Sequence, residues 1–440
     1  MTAESQPARD VGQVVPLLEP RDGLPPVVET AEELARVTRA MAEGTGPVAV
    51  DAERASGYRY GHRAYLVQFR REGAGTALID PVTCPDLSGL DAALAGTEAV
   101  LHAASQDLPC LSELSYRPRI LFDTELAGRL LGFPRVALGT LVETVLGLHL
   151  EKGHSAADWS TRPLPADWLR YAALDVEVLT ELRDALADML VEQGKMDWAR
   201  QEFAAVLSAA PPAPRPDPWR RTSGIHRVRS RRSLAVVREL WEQRDKIAQN
   251  MNLSPGRVLP DAAIVEAARA LPTSNTTLTR IPGFTSRVAR RHLAEWLGAI
   301  RRARALPESA LPDTGGATAA GGPPPTHRWA ERDPAAAARL VAIRATVADV
   351  AAGHTMPAEN LLPPDAVRRI SWEPPDPPDP IAVEAALARY GARPWQRELT
   401  AGPIAAAIED PVAHSPDVHG PGGDSPAIIQ QADTEAETEA

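Results

Sequence analysis

The chain has 440 residues, 44% of them apolar, and a formal net charge of −11; that length exceeds one ordinary core and calls for two to three domains. No apolar run reaches the eighteen or so residues of a membrane span, and the opening "MTAESQPARDVGQ" lacks the basic-then-apolar order of a secretion signal, so a cytoplasmic protein with no membrane partner is expected. Its two cysteines, Cys84 and Cys110, have neither a second pair nor nearby histidines at ligand spacing, which supports neither a disulfide framework nor a zinc site.

Residues 1–25 read as a disordered tail. Order is expected from "PVVETAEELARVTRAMAEG", where Thr30 followed by Glu33 is a capping box, apolar positions recur at helical spacing, and Gly44 ends the helix. Three strand-like runs follow, "PVAVDAE", "AYLVQFR" and "TALIDP". The first ends in Asp51 and Glu53. A strand alternates its side chains, so these two share one face. Like charges that close either raise a pKa or hold a cation between them, although two solvated carboxylates at a strand end give the same pattern.

Next come a helix near "DLSGLDAALA", a strand "EAVLHA", a helix from Gln106, a short strand "ILFD", and mostly helix to about Leu207. Strands first, then strands alternating with helices, predict an α/β domain over 26–208 with a mixed sheet. The proline-rich "SAAPPAPRPDPWRR" opens a semi-extended linker, 209–232. Residues 233–306 read as an all-helical domain, and "GGATAAGGPPP" marks a second linker, 307–327. No strand precedes those glycines and no Lys-Ser or Lys-Thr follows, so they are not a phosphate loop. A second helical domain spans 328–410. "GRVLPDAAI" and "ENLLPPDAVRRI" each place an apolar pair, a proline, an acid and an apolar helix in the same order, which reads as a tandem duplication. Residues 411–440 read as an acidic disordered tail.

Basic residues comprise 44 arginines and three lysines, Lys152, Lys195 and Lys246. They are unevenly placed. Residues 215–304 hold 19 Arg or Lys against 7 Asp or Glu, a local net of +12, whereas 328–410 hold 9 against 12 and nothing basic follows Arg397. The basic segment suits either a solvated helical surface or a nucleic-acid partner.

Two more carboxylates bear on the opening pair. "VLHAASQDLPCL" sets Asp107 at the start of a helix after a strand end, and "DWLRYAALDVEVLTEL" sets Tyr171 and Asp175 one turn apart on one helical face. Hard cations such as Mg²⁺ or Mn²⁺ take oxygen ligands, and two of them about 3.5–4 Å apart serve in-line phosphoryl displacement. Asp51, Glu53, Asp107 and Asp175 supply four carboxylates for such a pair. Tyr171, with an unperturbed pKa near 10, would orient the attacking water rather than deprotonate it.

This ordered set, D-x-E at a strand end, then H-x-x-x-x-D, then Y-x-x-x-D on a helix, resembles the DEDD-type 3′–5′ exonucleases of the tyrosine subclass, and more closely the ribonuclease D family. "FDTELAGRLLG", "LVETVLGLHLEKGHSAADWSTRPLP" and "YAALDVEVL" extend the resemblance, and "LWEQRDKIAQNMNLSPGRVLPDAAIVEAARALP" resembles the helicase-and-ribonuclease-D C-terminal (HRDC) domain. The resemblance implies a ribonuclease H-like exonuclease domain followed by HRDC-type domains. It implies Asp51, Glu53, Asp107 and Asp175 as metal ligands, Tyr171 as the water-positioning residue, and two divalent ions, Mg²⁺ or Mn²⁺, as cofactors. The implied activity is hydrolysis at RNA 3′ ends to nucleoside 5′-monophosphates, in tRNA precursors or other small structured RNAs; the resemblance leaves the oligomeric state open, and a monomer is expected. The alternatives are a DNA exonuclease and a catalytically silent nucleic-acid-binding protein.

The chain departs from the family pattern at Ser155-Ala156, where ribonuclease D often has Ser-Arg before the Asp-Trp, so an arginine contact to the substrate is either missing or supplied elsewhere, for example by Arg162. His102 and Gln68 are expected to be hydrogen-bonded structural residues, and Phe69, Tyr58 and Tyr60 core aromatics that could also stack on a terminal base. Truncation after Leu207 is expected to spare cleavage of short unstructured RNA, and the acidic tail is expected to be dispensable.

Overall fold

The run Thr45–Arg54 carries Val48, Ala49, Val50 and Ala52 with at most 5% exposure, so both faces of this strand are covered and it lies inside a sheet. The computed structural model describes residues 14–151, 153–210, 215–314 and 322–414. Its strands are β1 (Val15–Leu17), β2 (Val27–Val28), β3 (Thr45–Arg54), β4 (Ala64–Glu72), β5 (Gly75–Ile79), β6 (Glu98–Leu101), β7 (Ile120–Asp123) and β8 (Leu148–Leu150). Six form one mixed sheet in the order β2-β5-β4-β3-β6-β7. The hairpin pairings β3–β4 and β4–β5 are antiparallel, while β2–β5, β3–β6 and β6–β7 are parallel.

The helices of this domain are α1 (Ala31–Glu43), α2 (Ser88–Ala93), α3 (Leu108–Glu113), α4 (Thr124–Leu130), α5 (Leu138–Leu146), α6 (Ala166–Glu177), α7 (Leu179–Glu192) and α8 (Met196–Ser208). The Thr30–Glu33 capping box starts α1 as expected. Helix α6 lies across β3, β4 and β5. Its Ala172 and Ala173 are fully buried in a cluster with Tyr65, Leu66, Leu78 and Trp159, and these small side chains let the helix backbone come close to the sheet.

One expectation fails at the N-terminus. Residues 1–13 lie outside the described residues, but Val15–Leu17 is a strand, paired in parallel with β8 as a two-stranded sheet. Three residues with Pro16 at their centre give too short a pattern to read as a strand, and the partner is over a hundred residues away.

The first helical domain comprises α9 (Arg231–Met251), α10 (Pro255–Val258), α11 (Asp261–Ala270), α12 (Asn275–Leu278), α13 (Arg287–Arg291) and α14 (Leu293–Ala305). Its core gathers Leu240, Ile264, Phe284 and Trp296, and also Trp219 at 2% and Leu311 at 6% exposure. The expected linkers are therefore shorter than their composition suggested. Pro218–Arg221 is a 3₁₀ turn that seats Trp219 in this core, because a buried indole outweighs local proline content. Residues 211–214 and 315–321 lie outside the described residues.

The described chain divides into two compact units, one reaching Gly322 with Thr355–Asn360 added, the other holding Pro323–His354 and the residues from Leu361 onward. Its last helices are α15 (Trp329–Arg332), α16 (Pro334–Gly353), α17 (Ala358–Leu361), α18 (Pro364–Trp372), α19 (Pro380–Arg389) and α20 (Pro394–Glu409). Helices α9, α10 and α11 run 21, 4 and 10 residues, and α16, α17 and α18 run 20, 4 and 9, with Pro260 and Pro363 capping α11 and α18. The acidic stretch from 415 to 440 lies outside the described residues.

Candidate active site

On β3 the alternation puts Asp51 and Glu53 on one face, opposite Gln68 and Leu66 of β4. Helix α6 brings Tyr171 and Asp175 over that face. One oxygen each from Asp51, Glu53 and Asp175 lie within 4.8 Å of one another. Asp107 arrives by another route. After β6 the backbone turns left-handed at Ala103 (φ 56°) and makes a 3₁₀ turn, Ala104–Gln106, that sets Asp107 at the head of α3.

That turn is held from below by Asp123. Its carboxylate accepts hydrogen bonds from the backbone N–H of Ala103 (3.1 Å) and Ala104 (2.8 Å), and caps α4 through Glu125 (2.9 Å) and Leu126 (3.2 Å). Asp107 is 4% exposed and lines the same 740 Å³ cleft as Asp51, Glu53, Tyr171 and Asp175. Its Oδ1 stands 3.2 Å from Arg54 Nη2 and makes no hydrogen bond. The expected five residues thus share one cleft, three carboxylates forming the tight cluster and Asp107 facing an arginine.

Crowded, desolvated carboxylates resist ionisation. Burial, then the charges of Asp51, Asp175 and Asp107, push Glu53 well above the usual carboxylate range. Burial and the Asp51 charge do the same to Asp175 and to Asp107, against the Tyr171 hydroxyl in the first case and Arg54 in the second. Burial raises Asp51. A divalent cation reverses each of these costs at once, and an all-oxygen donor set of carboxylates is the kind that Mg²⁺ and Mn²⁺ take. The buried Asp107 Oδ1, which makes no hydrogen bond and faces the Arg54 guanidinium, fits the same requirement. Burial, with the charges of Asp175, Glu53 and Asp51, also raises the Tyr171 phenol, so it stays protonated.

Aromatic packing fixes the Tyr171 ring. His154 meets it edge-on, centroids 5.9 Å apart, and Trp159, fully buried, bonds the His154 carbonyl from its indole N–H at 3.1 Å. His102 is structural as expected, its Nδ1 2.9 Å from Thr124 Oγ1, and burial lowers its pKa to about 4. Phe69 is a core ring, edge-on to Tyr116 at 5.0 Å.

Two expectations are corrected. Arg162 is not free for substrate: Nε and Nη2 grip the buried Asp80 at 2.6 and 2.8 Å, Nη2 also reaches the Tyr65 carbonyl, and Nη1 reaches those of Trp159 and Thr161. Gln68 is fully buried, yet neither atom of its amide finds a hydrogen-bond partner among the described residues. Sequence reasoning also passed over Arg54, Asp123 and His154. The "FDT" beside the β7 end was a usable signal for Asp123, since an N-cap aspartate announces itself by position.

Residues 25–191 match the family model of a 3′-5′ exonuclease, 233–300 that of the HRDC domain, and 322–408 that of a 3′ to 5′ exonuclease C-terminal domain. The chain is 34% identical over 298 residues to the ribonuclease D of Gluconacetobacter diazotrophicus, covering 66% of this chain and 74% of the relative, and 31% identical over 306 residues to that of Acidiphilium cryptum, covering 68% and 77%. Among solved structures, a protein from Bifidobacterium adolescentis is 37% identical with a TM-score of 0.83, covering 90% of this chain and all of that one. Escherichia coli RNase D, at 24% identity and a TM-score of 0.61 over 89% of this chain and 99% of its own, shares the fold. An exonuclease match over the mixed-sheet domain, an HRDC match over the helices after it, and relatives of one name along most of their length converge: the chain belongs to the ribonuclease D family.

Proposed function

We propose that the chain is a metal-dependent 3′–5′ exoribonuclease that removes nucleotides from RNA 3′ ends as 5′-monophosphates. The observation that carries this is the gathering of Asp51, Glu53 and Asp175 within 4.8 Å, with Asp107 and Tyr171 in the same cleft. In this reading the four carboxylates hold a pair of Mg²⁺ or Mn²⁺ ions. When bound, such ions acidify the attacking water and take up charge on the leaving oxygen.

The chain's own residues do the rest. Tyr171, kept protonated, orients the attacking water by hydrogen bonding rather than by removing its proton. The ring contacts of His154 and the carboxylate of Asp175 hold that hydroxyl in place. Asp123 holds the turn that delivers Asp107. The physiological substrates are proposed to be tRNA precursors or other small structured RNAs, handled by a monomer in the cytoplasm; no described helix is long and apolar enough to cross a membrane.

The test follows 3′-end shortening of a labelled RNA and its DNA counterpart with Mg²⁺, Mn²⁺ or chelator. Stepwise loss of RNA that needs metal is expected, and Tyr171→Phe should slow it by about 10²-fold, the usual effect of losing one oriented hydroxyl. Preferential loss of the DNA strand would make the protein a DNA exonuclease. No degradation under any metal would leave a nucleic-acid-binding protein.

A further inference from the structure

Arg54 sits where strand alternation should not put it. Asp51 and Glu53 face the cleft, so the next residue should face away, but the β3–β4 register shifts between Glu53 and Arg54. The extra residue of this bulge is Tyr65 of β4, since Glu53 pairs with Leu66 and Arg54 with Ala64, and regular pairing breaks at Arg54. Arg54 lines the cleft beside the two carboxylates that precede it. Among the described residues lining the cleft it is the one arginine or lysine. His102, the other basic side chain there, stays neutral at physiological pH because burial lowers it to about 4.

The guanidinium is anchored and aimed. Nη1 donates to the Gln106 carbonyl at 2.6 Å, Nη2 reaches Gln106 Oε1 at 3.4 Å, and Nη2 stands 3.2 Å from Asp107 Oδ1. The Asp107 side chain is 6% exposed and that of Arg54 26%, so the pair is largely shielded from water. The other three carboxylates bring one oxygen each within 4.8 Å of one another.

We propose that Arg54 is a positioning residue that controls the second cation: it holds Asp107 until a nucleotide phosphate draws the guanidinium away. The inference rests on the metal-centre reading above and deepens it. Asp51, Glu53 and Asp175 form a site ready for one divalent ion. Asp107 becomes available to a second ion only when Arg54 exchanges its carboxylate partner for a phosphate, an anion the guanidinium fork fits at least as well. The bond from Nη1 to Gln106 keeps the head at the cleft wall during that exchange. The chain would thus complete its metal set only on a correctly seated 3′ nucleotide.

Binding of Mn²⁺ to the full chain, followed through the spectrum of free Mn²⁺ with and without 5′-AMP, tests this without any turnover. Wild type should take up one tight ion alone and a second when AMP is present. Arg54→Ala and Arg54→Gln should take up the second ion without AMP, about tenfold more tightly than wild type, as loss of one charged contact at Asp107 implies. Arg54→Lys, which keeps a cation there, should behave as wild type. The glutamine variant retains a donor for the Gln106 carbonyl, so it guards against a folding defect in the alanine variant. Two equal ions in AMP-free wild type, or one ion in both Arg54→Ala and Arg54→Gln, would overturn the role of Arg54 while leaving the metal centre standing. Wild type that binds no Mn²⁺ would overturn the metal centre and this inference with it.

Discussion

All three guanidinium nitrogens of Arg162 are engaged within the protein, and Asp80, its partner, is 2% exposed. Removing the arginine would leave a buried carboxylate without its counter-charge, which costs about 3–5 kcal/mol. Arg162→Ala is therefore expected to lower the denaturant midpoint strongly while leaving the KM for RNA unchanged under conditions where the variant is folded. A raised KM with normal stability would restore the substrate contact expected from sequence. The contrast with Arg54 shows what residue identity conveys. Asp51, Glu53, Tyr171 and Asp175 were legible because periods of two and of four place them on shared faces by arithmetic. Arg54 was not, because alternation points it away from the face of Asp51 and Glu53, and the register break opposite it, made by Tyr65 of β4, leaves little trace in sequence. Arg162 was misread because its partner lies 82 residues away.

At the scale of elements, the loop between β3 and β4 carries the cleft-lining Ser56, Gly57 and Tyr58, and the first helical domain holds it. Ser254 N–H donates to the Tyr58 carbonyl at 3.0 Å, and Ser254 Oγ and Arg257 Nε both donate to the Gly57 carbonyl at 3.0 Å. The Arg257 guanidinium lies 4.0 Å from the Tyr58 ring centroid, and the Tyr60 hydroxyl bonds Asp245 at 3.1 Å. These contacts change the expectation for truncation after Leu207: without the helices, the loop that walls the cleft loses its support. Ser254→Ala combined with Arg257→Ala in the full chain should raise the KM for a dinucleotide RNA several-fold, and speed amide exchange at Tyr58 and Arg59. Unchanged exchange and KM would mean that the nuclease domain holds this loop alone. The elements themselves were readable in sequence from capping and periodicity, but β1, β8 and this contact depend on pairings across long stretches of chain that no local pattern encodes.

Across the whole molecule, charge is segregated along the chain, and the structure shows which part of the basic segment is engaged. Arg227, Arg232, Arg244 and Arg302 form ion pairs with Glu266, Glu308, Asp261 and Glu239. Arg280, Arg287, Arg290 and Arg291 are exposed and have no ion pair among the described residues, and the last three share the short helix α13. A solvated surface and an RNA-binding one differ in a measurable way. Each phosphate neutralised on a single strand releases counterions and contributes about 0.7 to the slope of log affinity against log salt. If this patch binds the RNA backbone, changing Arg287, Arg290 and Arg291 together to alanine should flatten that slope by up to about 2, with the loss in affinity greatest at low salt. The 3′-end cleavage rate at saturating RNA should hardly change, since the patch would act on the substrate's phosphates rather than on the reacting bond. An unchanged slope would make α13 an ordinary solvated helix and move the RNA-binding surface elsewhere.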